Sequence, residues 1–415
     1  MNQLFVYENF SSEVPLLMGT LYVDQQKGTE HYSFDYSKEW LQNPSSIHKI
    51  LDPGLSLFEG RQYPIGKSLF GLFSDSAPDR WGRMLMDRRE RIYADKENRK
   101  PKKLTESDYL LGVFDELRMG ALRFKTSIEG PFLSDDATNA APPWTTLRTL
   151  EEASRNLEND DAMLESRWIE QLIKPGSSLG GSRPKATVQS PQGELWIAKF
   201  PSRKDDYDVG AWEMVAHDLA KLCGLNVPDA QLMSFSDLGS TFLTKRFDRD
   251  KDRRIHFASA MTMLGKTDGA SSADGTSYLD IASFIRSNGK EPQKDLLELW
   301  KRIVFNMAIT NSDDHLRNHG FILTKKGWVL APLYDVNPVP YGDTLSLNVD
   351  DTSNEISIPL AISSAEYFGI KKADAEGIAS SILLVIKNNW EGLATDYGLS
   401  KSSKLYMKPA FQACC

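Results

Sequence analysis

The stretch that decides the fold reads Asn311-Ser312-Asp313-Asp314-His315-Leu316-Arg317-Asn318. Two short apolar runs follow it, at 320–323 and 327–330, with three polar residues between them. Apolar runs around a tight polar turn predict a β-hairpin. A hairpin returns the chain to its starting point, so the sequence predicts that Asn318 lies beside Asp335, which follows the second run.

The residue types in this stretch are those of a phosphoryl-transfer site. The Asn318 amide and the Asp335 carboxylate are oxygen ligands of the kind that Mg²⁺ prefers. Asp313 precedes Asn318 by five positions, which is the spacing of the catalytic Asp and the metal-binding Asn in a kinase catalytic loop, whereas Asp314 is one residue off. We therefore predict Asp313 as the catalytic carboxylate. His315 is a further ATP-binding candidate, and bracing the loop by hydrogen bonds is its favoured role.

Working toward the N-terminus, a second signal is the loop Gly176-Ser177-Ser178-Leu179-Gly180-Gly181-Ser182-Arg183-Pro184-Lys185. Glycine lets backbone N–H groups approach phosphate oxygens closely. The loop is neither a P-loop nor a Rossmann fingerprint, and an ordinary surface turn would also be rich in Gly and Ser. The ATP-binding candidates here are Ser178, Leu179, Gly180, Gly181, Ser182 and Lys185.

A third signal is Lys199, which ends the apolar run Trp196-Ile197-Ala198. A lysine in an apolar strand must bring its charge to a partner, and a nucleotide phosphate is one candidate. Glu213 on the next predicted helix could orient it, as a Lys–Glu pair does in kinases. The alternative is an edge lysine that snorkels to solvent and a solvated helix glutamate. Phosphate loop, lysine, catalytic Asp and two metal ligands nevertheless occur in the chain order that ATP- and Mg²⁺-dependent phosphoryl transfer requires.

Composition limits the alternatives. The chain has 415 residues, of which 40% are hydrophobic and 26% charged, so it is a folded globular protein of two to three domains rather than a disordered one. The formal net charge of −8 argues against coating nucleic acid through bulk charge. Three cysteines are too few for a disulfide framework. With no signal peptide or membrane-spanning run apparent, we expect a cytoplasmic protein without a membrane partner.

Periodicity predicts an α+β chain with a strand-bearing part followed by a helical part. Residues 1–125 are predicted as a small β-rich module, because strand-like runs at 4–7, 19–23 and 31–36 open the chain. A Pro/Gly-rich linker at 126–145 follows. We then expect the nucleotide-binding lobe of a kinase at 146–250 and a helical lobe with the catalytic loop at 251–415.

Nearly the whole chain resembles the HipA family of bacterial serine/threonine kinases, the toxin halves of HipA–HipB toxin–antitoxin pairs. The resemblance lies in Met18-Gly19-Thr20-Leu21-Tyr22, in Asp75-Ser76-Ala77-Pro78-Asp79-Arg80-Trp81-Gly82-Arg83, in the glycine-rich loop, and in Lys245-Arg246-Phe247-Asp248-Arg249. It implies a protein-kinase-like fold. It also implies that the backbone at Lys245 and Phe247 holds adenine, that Lys199 contacts ATP, and that Ser178 is autophosphorylated. Phe257-Ala258-Ser259 departs from the family where acidic residues are expected.

The resemblance further implies a helix-turn-helix antitoxin of the HipB type as partner, with DNA contacted only through it, and an aminoacyl-tRNA synthetase as the protein substrate. A small-molecule kinase remains an alternative, as does a degenerate kinase acting as a scaffold or corepressor with a DNA-binding antitoxin. We also expect residues 1–125 to dock the partner and to contribute nothing to nucleotide binding.

Overall fold

The structure is a computed structural model that describes residues 2–133, 141–158, 172, 183–251 and 253–414. The chain divides into two compact units. The first comprises Met1–Arg203 and Lys245–Ala258, and the second comprises Lys204–Thr244 and Ser259–Cys415. The predicted boundaries do not coincide with this division, because the strands at 185–189 and 195–199 of the predicted nucleotide-binding lobe fall in the first unit and those at 230–236 and 239–244 in the second.

The strands and helices have the following bounds. The strands are β1 (Asn2–Glu8), β2 (Leu16–Gln26), β3 (Thr29–Tyr36), β4 (Leu122–Lys125), β5 (Lys185–Gln189), β6 (Leu195–Lys199), β7 (Ala230–Ser236), β8 (Gly239–Lys245), β9 (Arg249–Asp250), β10 (Arg253–Arg254), β11 (Phe257–Ser259), β12 (Gly320–Thr324) and β13 (Gly327–Leu330). The helices are α1 (Lys38–Gln42), α2 (Gly71–Ser74), α3 (Arg80–Lys96), α4 (Glu106–Leu111), α5 (Leu147–Glu158), α6 (Val209–Leu222), α7 (Ala260–Met263), α8 (Tyr278–Asn288), α9 (Pro292–Ala308), α10 (Ile358–Ser364), α11 (Lys372–Asp396) and α12 (Lys401–Met407).

An antiparallel sheet in the order β3-β2-β1-β4 opens the first unit. Its three N-terminal strands form where the strand-like runs predict them. β4 pairs with β1 although more than a hundred residues separate them, and this distant pairing has no local signal in the sequence. Phe34, Phe73 and Phe124 pack against one another on this sheet and form the aromatic centre of its core.

Helix α3 follows the sheet and begins at Arg80. Asp79 is its N-cap, and the Asp79 side chain accepts a hydrogen bond of 2.8 Å from the Gly82 amide. Such a cap satisfies one of the amides that the first turn leaves without an intrahelical partner. The cap fixes Asp79 at the start of the helix with its carboxylate fully buried.

Helices dominate the second unit from α8 onward, as the sequence predicts. Trp390 stacks on Phe411 with ring centroids 4.5 Å apart, and Trp212 packs against both rings. The indole N–H of Trp300 in α9 donates to the Ala361 carbonyl at 2.8 Å. These contacts hold α6, α9 and α11 together as the scaffold that carries the polar loop after α9.

Candidate active site

The polar loop of the second unit begins under backbone strain. Thr310, directly before Asn311, has φ +53°, a left-handed conformation that β-branched residues rarely adopt. Two hydrogen bonds hold it there: the Thr310 hydroxyl donates to the Ala410 carbonyl at 2.9 Å, and the Asn311 amide donates to the Asn306 carbonyl at 2.8 Å. Strain that the surroundings maintain in this way is characteristic of functional loops.

Asp314 anchors this loop from inside. Its Oδ2 accepts hydrogen bonds from the Tyr278 hydroxyl at 2.6 Å, from the Asn306 amide at 2.7 Å and from His319 Nε2 at 2.8 Å. The carboxylate has no exposed surface. Burial alone would raise the pKa of Asp314, but the attraction of His319 and the hydrogen bonds from His319 and Tyr278 outweigh it and hold the pKa below its usual value. Asp314 is therefore a buried, ionised structural group.

Asp313 is exposed, in contrast to the buried Asp314. The Asp313 carbonyl accepts hydrogen bonds from the Asn318 side-chain amide at 3.0 Å and from the His315 backbone amide at 3.1 Å. These bonds close the loop into a compact turn. Of the two adjacent carboxylates, only that of Asp313 is accessible to a substrate.

The hairpin forms at the predicted place and brings Asp335 back to the loop. β12 and β13 pair antiparallel, and the Ala331 amide donates to the Gly320 carbonyl at 2.8 Å, which closes the open end of the hairpin. The Tyr334 hydroxyl then donates to the Arg317 carbonyl at 2.7 Å. This bond ties the segment that contains Asp335 directly to the loop that contains Asn318. Asp335 itself has φ +58°, a second strained position.

The donor set fits Mg²⁺. The Asn318 side-chain nitrogen is committed to the Asp313 carbonyl, so its Oδ1 remains as the ligand atom. Mg²⁺ is usually bound by one or two protein oxygens together with substrate phosphates. Among the described residues no group of three or more His, Cys, Asp or Glu could hold a metal by itself. A site of one amide and one carboxylate oxygen would thus need a phosphate-bearing substrate to complete it.

His319 braces the loop through its side chain, because its Nε2 binds the Asp314 carboxylate. His315, which the sequence favours for that role, has no hydrogen-bond partner at Nδ1 among the described residues. No sequence pattern points to His319, Tyr278 or Asn306. Asp314, one residue off the catalytic spacing, is the group on which these three converge.

In the first unit the structure gives Lys185 a structural contact. Lys185 and Lys199 are direct cross-strand partners in β5 and β6. Like charges at such positions repel each other. The Lys185 ammonium lies 2.8 Å from the Asp79 carboxylate, with both side chains fully buried, and the Trp81 indole donates to the Lys185 carbonyl at 3.0 Å. We therefore leave Lys185 out of the proposed nucleotide site.

The other candidates fall in separate places. Lys199 ends β6 and is 8% exposed, whereas Glu213 lies buried on α6 of the second unit, so their pairing stays a prediction.

The Lys245 ammonium binds the Glu194 carboxylate at 2.6 Å and lowers the pKa of Glu194. Phe247 packs on Phe257 with ring centroids 5.8 Å apart. The predicted phosphate-loop residues Ser178, Leu179, Gly180, Gly181 and Ser182 lie outside the described residues.

The buried pair of Asp79 and Lys185 joins residues 1–125 to the strands that follow. Asp79→Asn keeps the helix cap but removes the charge. We expect this variant to lower the free energy of unfolding by about 3–5 kcal/mol, because it leaves Lys185 buried without its carboxylate. Urea unfolding measures the loss. Asp95→Asn, an exposed position in the same helix, is the matched control. The double variant Asp79→Asn/Lys185→Met should recover much of the loss, and a single variant as stable as the control would contradict the role of the pair.

Comparison with known proteins identifies the fold and then the family. A chain in the solved complex of the Shewanella oneidensis MR-1 toxin–antitoxin proteins HipA and HipB with operator DNA has a TM-score of 0.62 and 18% identity, over 99% of this chain and 96% of that chain. The fold is thus the kinase-like fold of HipA. Residues 177–390, more than half of the chain, match the HipA-like C-terminal domain family. The protein belongs to this family.

Curated relatives match over part of their length. A Haemophilus influenzae protein named "Putative kinase" is 34% identical over 195 residues, which are 40% of this chain and 56% of the relative. The toxin YjjJ of Escherichia coli K12 is 23% identical over 215 residues, which are 46% of this chain and 45% of the relative. The chain thus spans about half the length of each of these two relatives.

Among the described residues, no helix combines the length and the apolar composition that crossing a bilayer requires.

Proposed function

We propose that the protein is an ATP- and Mg²⁺-dependent kinase that phosphorylates serine or threonine in another protein. The observation that carries the proposal is the hydrogen bond between Tyr334 and the Arg317 carbonyl. It joins the loop of Asp313 and Asn318 to the segment of Asp335, which are the parts that kinase chemistry needs in one place.

In the proposed reaction, the acceptor hydroxyl attacks the γ-phosphorus of ATP and the bond to the β,γ-bridging oxygen breaks. The hydroxyl proton passes to the Asp313 carboxylate, and ADP leaves. Asn318 Oδ1 and the Asp335 carboxylate would hold Mg²⁺, which neutralises charge on the phosphates when bound. Lys199 would contact the phosphates with Glu213 to orient it, and the backbone at 245–247 would hold adenine.

Asp314 supports this chemistry without touching substrate. Its three buried donors fix the turn that projects Asp313 outward. Positioning of this kind matters because small displacements of a catalytic group cost large factors in rate. The strain at Thr310 and Asp335 supports the same function, since strained backbone is maintained where a site demands it.

We further propose that the kinase is the toxin of a toxin–antitoxin pair. Its partner would be a helix-turn-helix antitoxin of the HipB type, and its substrate an aminoacyl-tRNA synthetase. Support comes from the family membership, from the similarity to HipA solved with HipB and operator DNA, and from the similarity to the toxin YjjJ. Operator DNA would be reached through the antitoxin, which agrees with the net charge of −8.

Labelled transfer tests the proposal. Purified protein is incubated with γ-labelled ATP, Mg²⁺ and host lysate, and the labelled products are separated and identified. One discrete labelled protein, absent with Asp313→Asn and with EDTA, is the expected result. Label confined to metabolites would favour a small-molecule kinase, and absence of transfer to any acceptor would favour a corepressor without activity.

We expect the active protein to carry phosphate on Ser178. A phosphate there adds about −1.5 to −2 charges, which would repel the ATP phosphates and lower ATP affinity. Mass spectrometry should find the modification in the wild-type protein and not in Asp313→Asn. Ser178→Ala should abolish it, whereas the neighbouring Ser177→Ala should not. Modification that leaves ATP affinity unchanged would contradict the inhibitory role.

A further inference from the structure

A polar cleft of about 810 Å³ lies in the first unit, between the turn that joins β5 to β6 and the segment of β9 and β10. Six cationic side chains line it: Arg123, Lys245, Arg246, Arg249, Lys251 and Arg254. Three carboxylates also line it, and the buried carboxylates of Asp115 and Asp248 lie behind it, so the formal excess over these groups is one positive charge. Leu195 is the one apolar side chain among the described residues of its lining.

The wall behind the cleft carries more positive than negative charge. Arg246 and Arg249 share the buried carboxylate of Asp248, at 2.7 and 2.6 Å. Arg123 and Arg254 share the Asp115 carboxylate, at 2.5 and 2.8 Å. Four guanidinium groups therefore depend on two carboxylates. Backbone carbonyls of residues 116–120 satisfy further donors of Arg246 and Arg249 but do not neutralise their charge.

This arrangement is energetically costly when the cleft holds no counterion. Burial lowers the pKa of Arg249 to about 9, although Asp248 partly offsets it, and repulsion from Arg246 and Arg254 contributes in the same direction. Burial also lowers the pKa of Arg254, and Arg254 Nη1 has no hydrogen-bond partner among the described residues. A charge removed from water is stable only when it is paired, so an additional anion would relieve the excess.

We propose that this cleft binds a small anion that carries more than one phosphate group. Guanidinium and ammonium groups attract phosphate oxygens by their charge, and the volume is that of a small-molecule site. The near absence of apolar lining disfavours recognition of a nucleobase or a hydrophobic ligand. Lys245, whose backbone is proposed to hold adenine, lines the cleft, whereas Lys199, the proposed phosphate lysine of the kinase site, does not.

Pyrophosphate is the probe, and calorimetry on the full chain without Mg²⁺ is the measurement. Lys251→Glu and Gln192→Glu add negative charge from two sides of the cleft. Each should weaken pyrophosphate binding by roughly tenfold or more. Lys27→Glu is the matched control, because Lys27 and Lys251 are both exposed turn residues with φ near +50°. Citrate in place of pyrophosphate tests whether carboxylates suffice.

The two proposed sites can fail separately. Lys199→Met should leave pyrophosphate binding in place while reducing ATP binding, and Lys251→Glu should do the reverse. If pyrophosphate binding is absent in the wild-type protein, unchanged by Lys251→Glu and Gln192→Glu, or lost with Lys199→Met alone, the cleft is not an anion site. Binding of citrate as tight as that of pyrophosphate would overturn the assignment to phosphate.

Discussion

Asp313→Asn and Asp335→Asn are each expected to reduce the rate of phosphoryl transfer by about 10³-fold or more. The first substitution removes the exposed carboxylate that would take the proton of the acceptor hydroxyl. The second removes the carboxylate ligand of Mg²⁺ from the segment that Tyr334 ties to the loop. Initial rates with labelled ATP measure the effect, and urea unfolding establishes that both variants fold.

Asp351→Asn is the control for both variants, since Asp351 is an exposed carboxylate of the second unit to which no role is assigned. It should retain the wild-type rate. If Asp313→Asn kept more than a tenth of the activity, the five-residue spacing to Asn318 would have selected the wrong carboxylate. A rate that stays high in Asp335→Asn would contradict the proposed metal site alone and leave the role of Asp313 intact.

Asp314→Ala should lower the free energy of unfolding by about 3–5 kcal/mol, because Tyr278, Asn306 and His319 would lose the buried acceptor that they share. Asp314→Asn keeps one oxygen but faces these donors with its own N–H groups, so a substantial loss is expected there as well. At temperatures where both variants fold, Asp314→Asn should transfer phosphate faster than Asp313→Asn. If the free energy of unfolding of Asp314→Ala equalled that of Asp351→Asn, Asp314 would not anchor the loop.

The same group makes stability depend on pH. The folded-state pKa of Asp314 lies below its unfolded value of about 3.9, so its contribution is fully present above that value and is lost as pH falls through the folded pKa. The wild-type protein should therefore lose stability more steeply below pH 4 than Asp314→Asn does. Unfolding curves recorded between pH 5 and pH 3 compare the two slopes.

Local patterns in the sequence predict much of this fold. Strand-like runs locate β1, β2 and β3, and two apolar runs around a polar turn locate β12 and β13 with their pairing. The hairpin in turn predicts the return of Asp335 to the loop. These predictions succeed because the partners are close in sequence and periodicity reports which face of an element is buried.

Contacts between distant residues escaped prediction. Asp79 and Lys185 are 106 positions apart, and the lysine was assigned to phosphate because its neighbours in the sequence are glycines and serines. The spacing from Asn318 disfavours Asp314 as the catalytic carboxylate. It does not reveal that Tyr278 and Asn306, on two different helices, donate hydrogen bonds to Asp314. Neither the cross-strand position of Lys185 nor the burial of Asp314 leaves a periodic signal. Tertiary packing decides such roles.

The discontinuity of the first unit has a consequence for its synthesis. The Gly120 amide donates to the Asp248 carboxylate at 2.8 Å across 128 positions. In the same turn, Arg246 donates to the Leu117 carbonyl and Arg249 to the Arg118 carbonyl. A nascent chain exposes this turn long before the ribosome has made the segment Lys245–Ala258 that completes it. Until then Asp115 and the turn carbonyls stay in water, so the unit can reach its final packing only after the intervening residues Lys204–Thr244 have also emerged. The first unit therefore becomes rigid only late in translation, after its last segment has been made.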